Sequence, residues 1–229
     1  MLSHFHLPGS APASRPSTPG HTTPPRPPIS ADDNVPFELV RDEDRRKRIV
    51  VAITGATGSL IAIRLLQALR ALDIETHLIM SKWALQTLKY ETDMTADEVR
   101  SLADFHYTST DMAAPPSSGS FLHDGMIIVP CSMKTLAAVR IGFCEELISR
   151  AADVCIKERR KLMLCVRETP LSVIHLENIW CYHFPPLPAY YIRPESVDDL
   201  VNQTVGRMLD SVGIHTTGFA RWSGGTKQR

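Results

Sequence analysis

The sequence has no surplus of charge. Its 25 Lys and Arg balance its 25 Asp and Glu, so the formal net charge is zero. Without a basic field, the electrostatic footprint of a nucleic-acid binder or a protein drawn to anionic membranes is missing. It also has no apolar run near the ~20 residues that span a bilayer. The five cysteines, Cys131, Cys144, Cys155, Cys165 and Cys181, form no CxxC pair and no Cys/His cluster of zinc spacing. Their odd number reads as packed free thiols in a reducing compartment. There is neither a GxGxxG fingerprint nor a Gly-Lys-Ser/Thr loop, and Asp73 and Glu75 lack the context of a ribose-binding acid. A nicotinamide-dependent Rossmann enzyme and a P-loop enzyme are therefore disfavoured.

What is present divides unevenly along the chain. Nine of the 17 prolines lie between Pro8 and Pro36, mixed with Ser, Thr, Gly and His. Residues 1–47 are expected to be a disordered extension, because such a composition buries too little apolar surface to offset ordering. Arg15, Arg26 and the many hydroxyls, with no acid before Asp32, suit mitochondrial import, although the prolines oppose an amphipathic targeting helix. A plain extension on a cytoplasmic protein is the alternative. The basic run 45–48 reads as a solvated lead-in, and 48–229 as one domain.

Within that domain apolar runs alternate with helical periodicity. Ile49 to Ile53, Ile74 to Met80, Met126 to Val129 and Leu162 to Val166 read as buried parallel strands. Helices are expected over 61–72, 82–90, 136–141, 145–159 and 196–212, with a capping box at Thr95 and Glu98 opening another. The alternation predicts a three-layer, doubly wound, Rossmann-like α/β fold on a mainly parallel sheet. Ligands of such folds bind beyond the carboxyl ends of the strands, so the loops after Ile53, Val129 and Val166 should meet in one crevice.

Each of those loops has a chemical and a plain reading. In Thr54-Gly55-Ala56-Thr57-Gly58, small residues aim N–H groups and a helix start at an anion, or simply make a tight turn. In Pro130-Cys131-Ser132-Met133-Lys134-Thr135, two hydroxyls and an ammonium suit phosphate, or form an ordinary N-cap beside a solvated lysine. Cys131 has no base nearby in sequence and reads as packing, not as a nucleophile. Arg167 and Glu168 directly follow a buried strand. The guanidinium suits bidentate phosphate or flavin-carbonyl contacts, and a carboxylate beside phosphate would have a raised pKa and serve as general acid/base. A direct decarboxylase is disfavoured because no electron sink beyond a flavin is evident.

Together, ITGATG, MSKWA, DGMIIVPCSMKTLA, KERRKLMLCVRETPL, PPLPAYYIRP and FARW closely resemble the flavin prenyltransferase (UbiX/Pad-type) family, once named phenylacrylic acid decarboxylases. The resemblance runs from Ile53 to Trp222. It implies transfer of a dimethylallyl unit from dimethylallyl monophosphate to N5 and C6 of reduced FMN. The product, prenylated FMN, goes to a partner decarboxylase of aromatic acids, and no metal is used. By matching position, Gly55, Ala56, Thr57, Ser81, Ser132, Met133, Lys134, Thr135 and Arg167 would bind FMN. Lys157, Tyr191, Arg207, Arg150 and Glu91 would surround the allylic phosphate, and Trp222 would help close the site. Glu168, Thr57 and Lys157 carry the catalytic roles, with Glu168 protonating the departing phosphate. The family builds this site where subunits meet, so a homo-oligomer, a dodecamer, is expected.

One stretch departs from the family. After His175-Leu176-Glu177-Asn178 come only Ile179-Trp180-Cys181-Tyr182-His183-Phe184 before Pro185, in place of a longer helix and a strand. A helix cut short would keep the next strand from its slot. The alternative expectation is therefore a catalytically impaired FMN-binding or assembly subunit.

Overall fold

Alternate residues of the first strand are all buried, and they feed two different cores. Ile49, Val51 and Ile53 pack with Leu65, Leu66, Leu69, Val205, Met208 and Leu209. Val50 and Ala52 pack with Met126, Ile128, Leu147, Ala151 and Cys155 on the other side. Successive side chains of a strand point to opposite faces, so a strand with no polar face needs cover on both. The result is three layers, and each large side chain so buried contributes roughly 1.5–3 kcal/mol.

The computed structural model describes residues 45–179 and 183–222. Its strands are β1 (Arg48–Ile53), β2 (Glu75–Met80), β3 (Phe105–Thr108), β4 (Gly125–Ile128) and β5 (Lys161–Leu164). All pair in parallel, in the order β3-β2-β1-β4-β5. The helices are α1 (Ser59–Ala71), α2 (Lys82–Glu91), α3 (Ala96–Arg100), α4 (Met133–Ile141), α5 (Leu147–Lys157), α6 (Val173–Asn178) and α7 (Val197–Ser211). The chain runs outward from β1 to β3, then crosses back to β4 on the other side. The switch point lies between β1 and β4, and a crevice opens there at the carboxyl ends.

Caps set the helix starts. Ser81 and Ser132 accept from the N–H of Ala84 and Thr135. Thr95 with Glu98 and Ser196 with Asp199 form capping boxes. The structure agrees with the sequence on the fold and corrects several bounds. The helix expected over 145–159 begins at Leu147 and ends at Lys157. The strand expected to reach Val166 ends at Leu164. β3 was not foreseen, because Phe105-His106-Tyr107-Thr108 is an edge strand without an apolar run. The basic run is only in part a solvated lead-in: Arg46 and Lys47 are exposed, but the Arg45 guanidinium binds both oxygens of Asp124 at 2.9 and 2.7 Å. The expected extension falls on residues 1–44, outside the described residues, except for Arg45 to Lys47.

Candidate functional site

Thr54, the first residue after β1, is buried and ties two crevice loops together. Its hydroxyl donates to the Pro130 carbonyl at 2.7 Å and accepts from the Ser132 N–H at 2.8 Å. The Cys131 N–H in turn donates to the Cys165 carbonyl at 2.8 Å. The ends of β1, β4 and β5 are thus locked together at the switch point. Thr54 carries no part in the expected site, yet its place at a strand end before glycine was the available signal.

Gly55 lies so close to α2 that a Cβ there would collide with the Trp83 side chain. Glycine allows this approach, which brings Ser81 and the start of α2 beside the loop. The Ser81 N–H donates to the Ile53 carbonyl at 3.0 Å. Thr57 is exposed and Ala56 half-buried at the open edge of the same loop.

The start of α1 is already occupied. The Glu91 carboxylate accepts from the N–H groups of Gly58 and Ser59 at 2.9 and 2.7 Å. Burial pushes the Glu91 carboxyl up, but hydrogen bonds from the Thr57 hydroxyl and these N–H groups outweigh it and hold its pKa below the ordinary value. This corrects the reading of the loop as a grip for an outside anion at the helix start. Only its Gly55–Thr57 edge stays open to a ligand.

At the start of α4 the Ser132 and Thr135 hydroxyls lie 3.0 Å apart. Met133 is half-buried beside them. Lys134 points elsewhere and donates to the Glu146 carboxylate at 2.8 Å, a bond that raises its pKa. Cys131 is buried and its thiol pKa is pushed well up by desolvation, which suits packing and not nucleophilic attack. Arg167 and Glu168 follow the buried Val166 and are exposed at the rim.

The remaining expected residues fall in two other places. Lys157 ends α5, four residues before β5 begins, and therefore sits at the amino end of the sheet. There it pairs with Glu158. Arg150, two turns earlier, donates to the Ser117 carbonyl at 3.0 Å and to Asp153 at 2.9 Å. One chain does not bring these two cations to Glu168. Tyr191 and Arg207 do converge. The Tyr191 hydroxyl accepts from Gln203 at 3.0 Å, and Gln203 and Arg207 line one pocket of about 200 Å³ with Phe184 and Leu187. Trp222 meets the Tyr191 ring edge-on at 5.7 Å.

Comparison with known proteins decides the family. The model of the flavoprotein family matches residues 38–181. The mitochondrial flavin prenyltransferase PAD1 of Saccharomyces cerevisiae is 60% identical over 186 residues, covering 79% of this chain and 77% of its own. The chain belongs to the UbiX/Pad-type flavin prenyltransferases. The flavin prenyltransferase UbiX of Escherichia coli K12 is 51% identical, over 78% of this chain and 99% of that relative. Among solved structures, AnUbiX (PadA1), crystallised with FMN and dimethylallyl pyrophosphate, superposes with a TM-score of 0.78 at 58% identity. It covers 80% of this chain and all of that one. A dodecameric, FMN-dependent UbiX-like protein of Escherichia coli O157:H7 gives 0.75 at 50% identity, over 77% of this chain and all of that one.

The stretch before Pro185, expected to depart from the flavin prenyltransferases, is described only in part. Trp180 to Tyr182 lie outside the described residues. Beyond them the chain does regain the sheet, though by one residue rather than a strand. His183 forms a single parallel bridge with Leu164, and the Phe184 N–H donates to the Leu164 carbonyl at 2.7 Å. The expected strand is absent from its slot among the described residues, as foreseen, but the chain still touches β5 through this bridge. Tyr191, just beyond, is held against α7 and Trp222. Among the described residues, nothing in this region favours a subunit stripped of catalysis.

Proposed function

We propose that this chain transfers a dimethylallyl group from dimethylallyl monophosphate to N5 and C6 of reduced FMN. The observation that supports it most is the gathering of Gly55–Thr57, Ser81, Ser132, Thr135 and Arg167 around one switch-point crevice, with Glu168 at its rim. These residues fit FMN. Ser81 and Ser132 use oxygen lone pairs to cap their helices, so hydroxyl protons stay free to donate to phosphate. Met133 offers an apolar side chain beside them, and the bare Gly55 leaves backbone within reach. Reduced FMN supplies the nucleophilic centres.

The protein's own residues then handle charge and protons. Arg207 holds the allylic phosphate in its pocket, with Tyr191 beside it through Gln203. Glu168 delivers a proton to the phosphate oxygen as the carbon–oxygen bond breaks. Thr57, bonded to Glu91, stands at the reacting edge of the crevice. Stabilising the charge that develops on the leaving phosphate is the main task of the cations.

Lys157 joins this site from a neighbouring copy, because its own crevice lies at the opposite end of the sheet, and Arg150, on the same helix, accompanies it. The exposed Val173, Ile174 and Leu176 of α6 and the exposed Trp83 and Tyr90 of α2 suit burial in such an assembly. A dodecamer, like that of the E. coli O157:H7 neighbour, satisfies both needs. The catalytic domain is 48–229, the 1–47 extension serves mitochondrial import as the yeast relative's name suggests, and a partner decarboxylase consumes the prenylated flavin.

The test is a single-turnover assay with reduced FMN and dimethylallyl monophosphate, read by mass. Wild type should give the prenylated flavin; Glu168→Gln should keep FMN and lose rate. An intact, FMN-loaded wild-type oligomer that makes no adduct would refute the proposal.

A further inference from the structure

α7 carries Gln203, Gly206, Arg207 and Asp210 at the spacing of one helix face. Residues 214–222 fold back along it through three contacts. Phe219 fills the notch at Gly206, where any Cβ would collide with its ring. The Arg221 guanidinium binds both Asp210 oxygens, at 2.6 and 2.8 Å, and also donates to the Thr216 carbonyl at 2.9 Å. It lies 4.3 Å over the Phe219 ring. The next residue, Trp222, meets Tyr191, whose hydroxyl is held by Gln203 beside the Arg207 pocket.

The ion pair contributes little to folding, since Arg221 is half-exposed and such pairs are screened by solvent. Its two parallel bonds instead fix direction, as bidentate pairs do. The carboxyl is well suited to this: bonds from Arg221, then from His215, pull its pKa to about 2, so it stays ionised at any working pH.

We propose that Asp210 and Arg221 are positioning residues for the allylic substrate. Their bonds set Trp222 against Tyr191, and the two rings form a wall behind Gln203, which lines the pocket beside Arg207 that receives the prenyl phosphate. This rests on the prenyl-transfer reading above. The latch touches neither flavin nor phosphate and acts only through Trp222 and Tyr191.

The experiment uses the FMN-loaded oligomer. Affinity for dimethylallyl monophosphate is measured calorimetrically with oxidised FMN, and KM and kcat with reduced FMN. Arg221→Gln and Asp210→Asn should each weaken binding and raise KM by about tenfold, leaving FMN retention unchanged and kcat within about twofold. The double variant should be no worse than either single one, and Arg221→Lys should recover part of the loss. Wild-type affinity in the assembled Arg221→Gln protein, or additive losses in the double variant, would overturn the proposal. Should Arg221→Gln not assemble, Trp222→Ala leaves the latch and removes the wall; unchanged affinity there overturns it equally. A wild type that makes no prenylated flavin would instead refute the underlying reading, and the latch with it.

Discussion

At the amino ends of the strands almost every charge is answered, whereas at the carboxyl ends several stand alone. Glu75 pairs with Arg48 and lies 2.8 Å from His77, whose other nitrogen meets the Tyr107 hydroxyl at 2.9 Å. His77 stacks on Phe105 and meets Phe121 edge-on, and Arg48 lies over Phe121 at 4.7 Å. Arg160 donates to the carbonyls of Phe121 and Gly119. At the other end, Arg167 and Glu168 are exposed and make no hydrogen bond or ion pair with the described residues. Charges satisfied internally hold a fold together. Charges left open on a rigid, cross-tied rim are available to a ligand. Lys157, paired at the amino end, is the residue by which the proposed site would join the two regions between copies.

The largest effect should come from the open end. Glu168→Gln is expected to lower the single-turnover rate by about 10²–10⁴-fold, the range for a lost general acid, without changing the thermal midpoint by more than a few degrees. A stability loss of equal weight would show that Glu168 serves the fold.

The amino end should answer to pH instead. Desolvation lowers the His123 pKa from 6.5 to about 4, and burial lowers that of His77 as well. The unfolded chain takes up protons below 6.5 that the folded His123 resists, and His77 acts in the same direction. The His123 contribution is full above pH 6.5 and is lost as pH falls toward 4. It amounts to about 3 kcal/mol for His123, at about 1.4 kcal/mol per unit. Urea midpoints between pH 7 and 4.5 measure this, and the loss should shrink in His123→Phe.

Thr54→Val probes the tie between the two crevice loops. It leaves the Ser132 N–H without its partner, while the Pro130 carbonyl keeps only the Thr54 N–H at 3.3 Å, and should cost about 2 kcal/mol, with FMN retention weakened too. An unchanged urea midpoint would mean the clamp is dispensable. The smallest effect belongs to Lys134→Ala, whose exposed pair with Glu146 should be worth less than ~1 kcal/mol. A marked loss of FMN in that variant would show that the lysine leaves Glu146 for the cofactor.

The sheet was legible because β1, β4 and β5 are built on continuous apolar runs that have one structural use, burial on both faces, and β2 ends in one, Leu78-Ile79-Met80. β3 was not, since an edge strand made of Phe105, His106, Tyr107 and Thr108 has no such pattern. Most crevice residues could be found from their places after strands. Glu91 could not be placed on the α1 start by pattern, because its partners Gly58 and Ser59 are brought to it only by folding. Nor could Arg221 be matched to Asp210, which depends on the tail doubling back along α7. Arg45 was misread for the same reason: Asp124, which receives it, is far off in sequence.

The most direct test of a site completed by a second copy is subunit mixing. Lys157→Ala and Glu168→Gln oligomers should each be nearly inactive in prenylation. Co-assembled in equal amounts, they should regain about a quarter of the wild-type rate, since one random pairing in four unites an intact Glu168 with an intact Lys157. A mixture no more active than the mean of its two parents, with exchange of subunits verified by mass, would contradict the account.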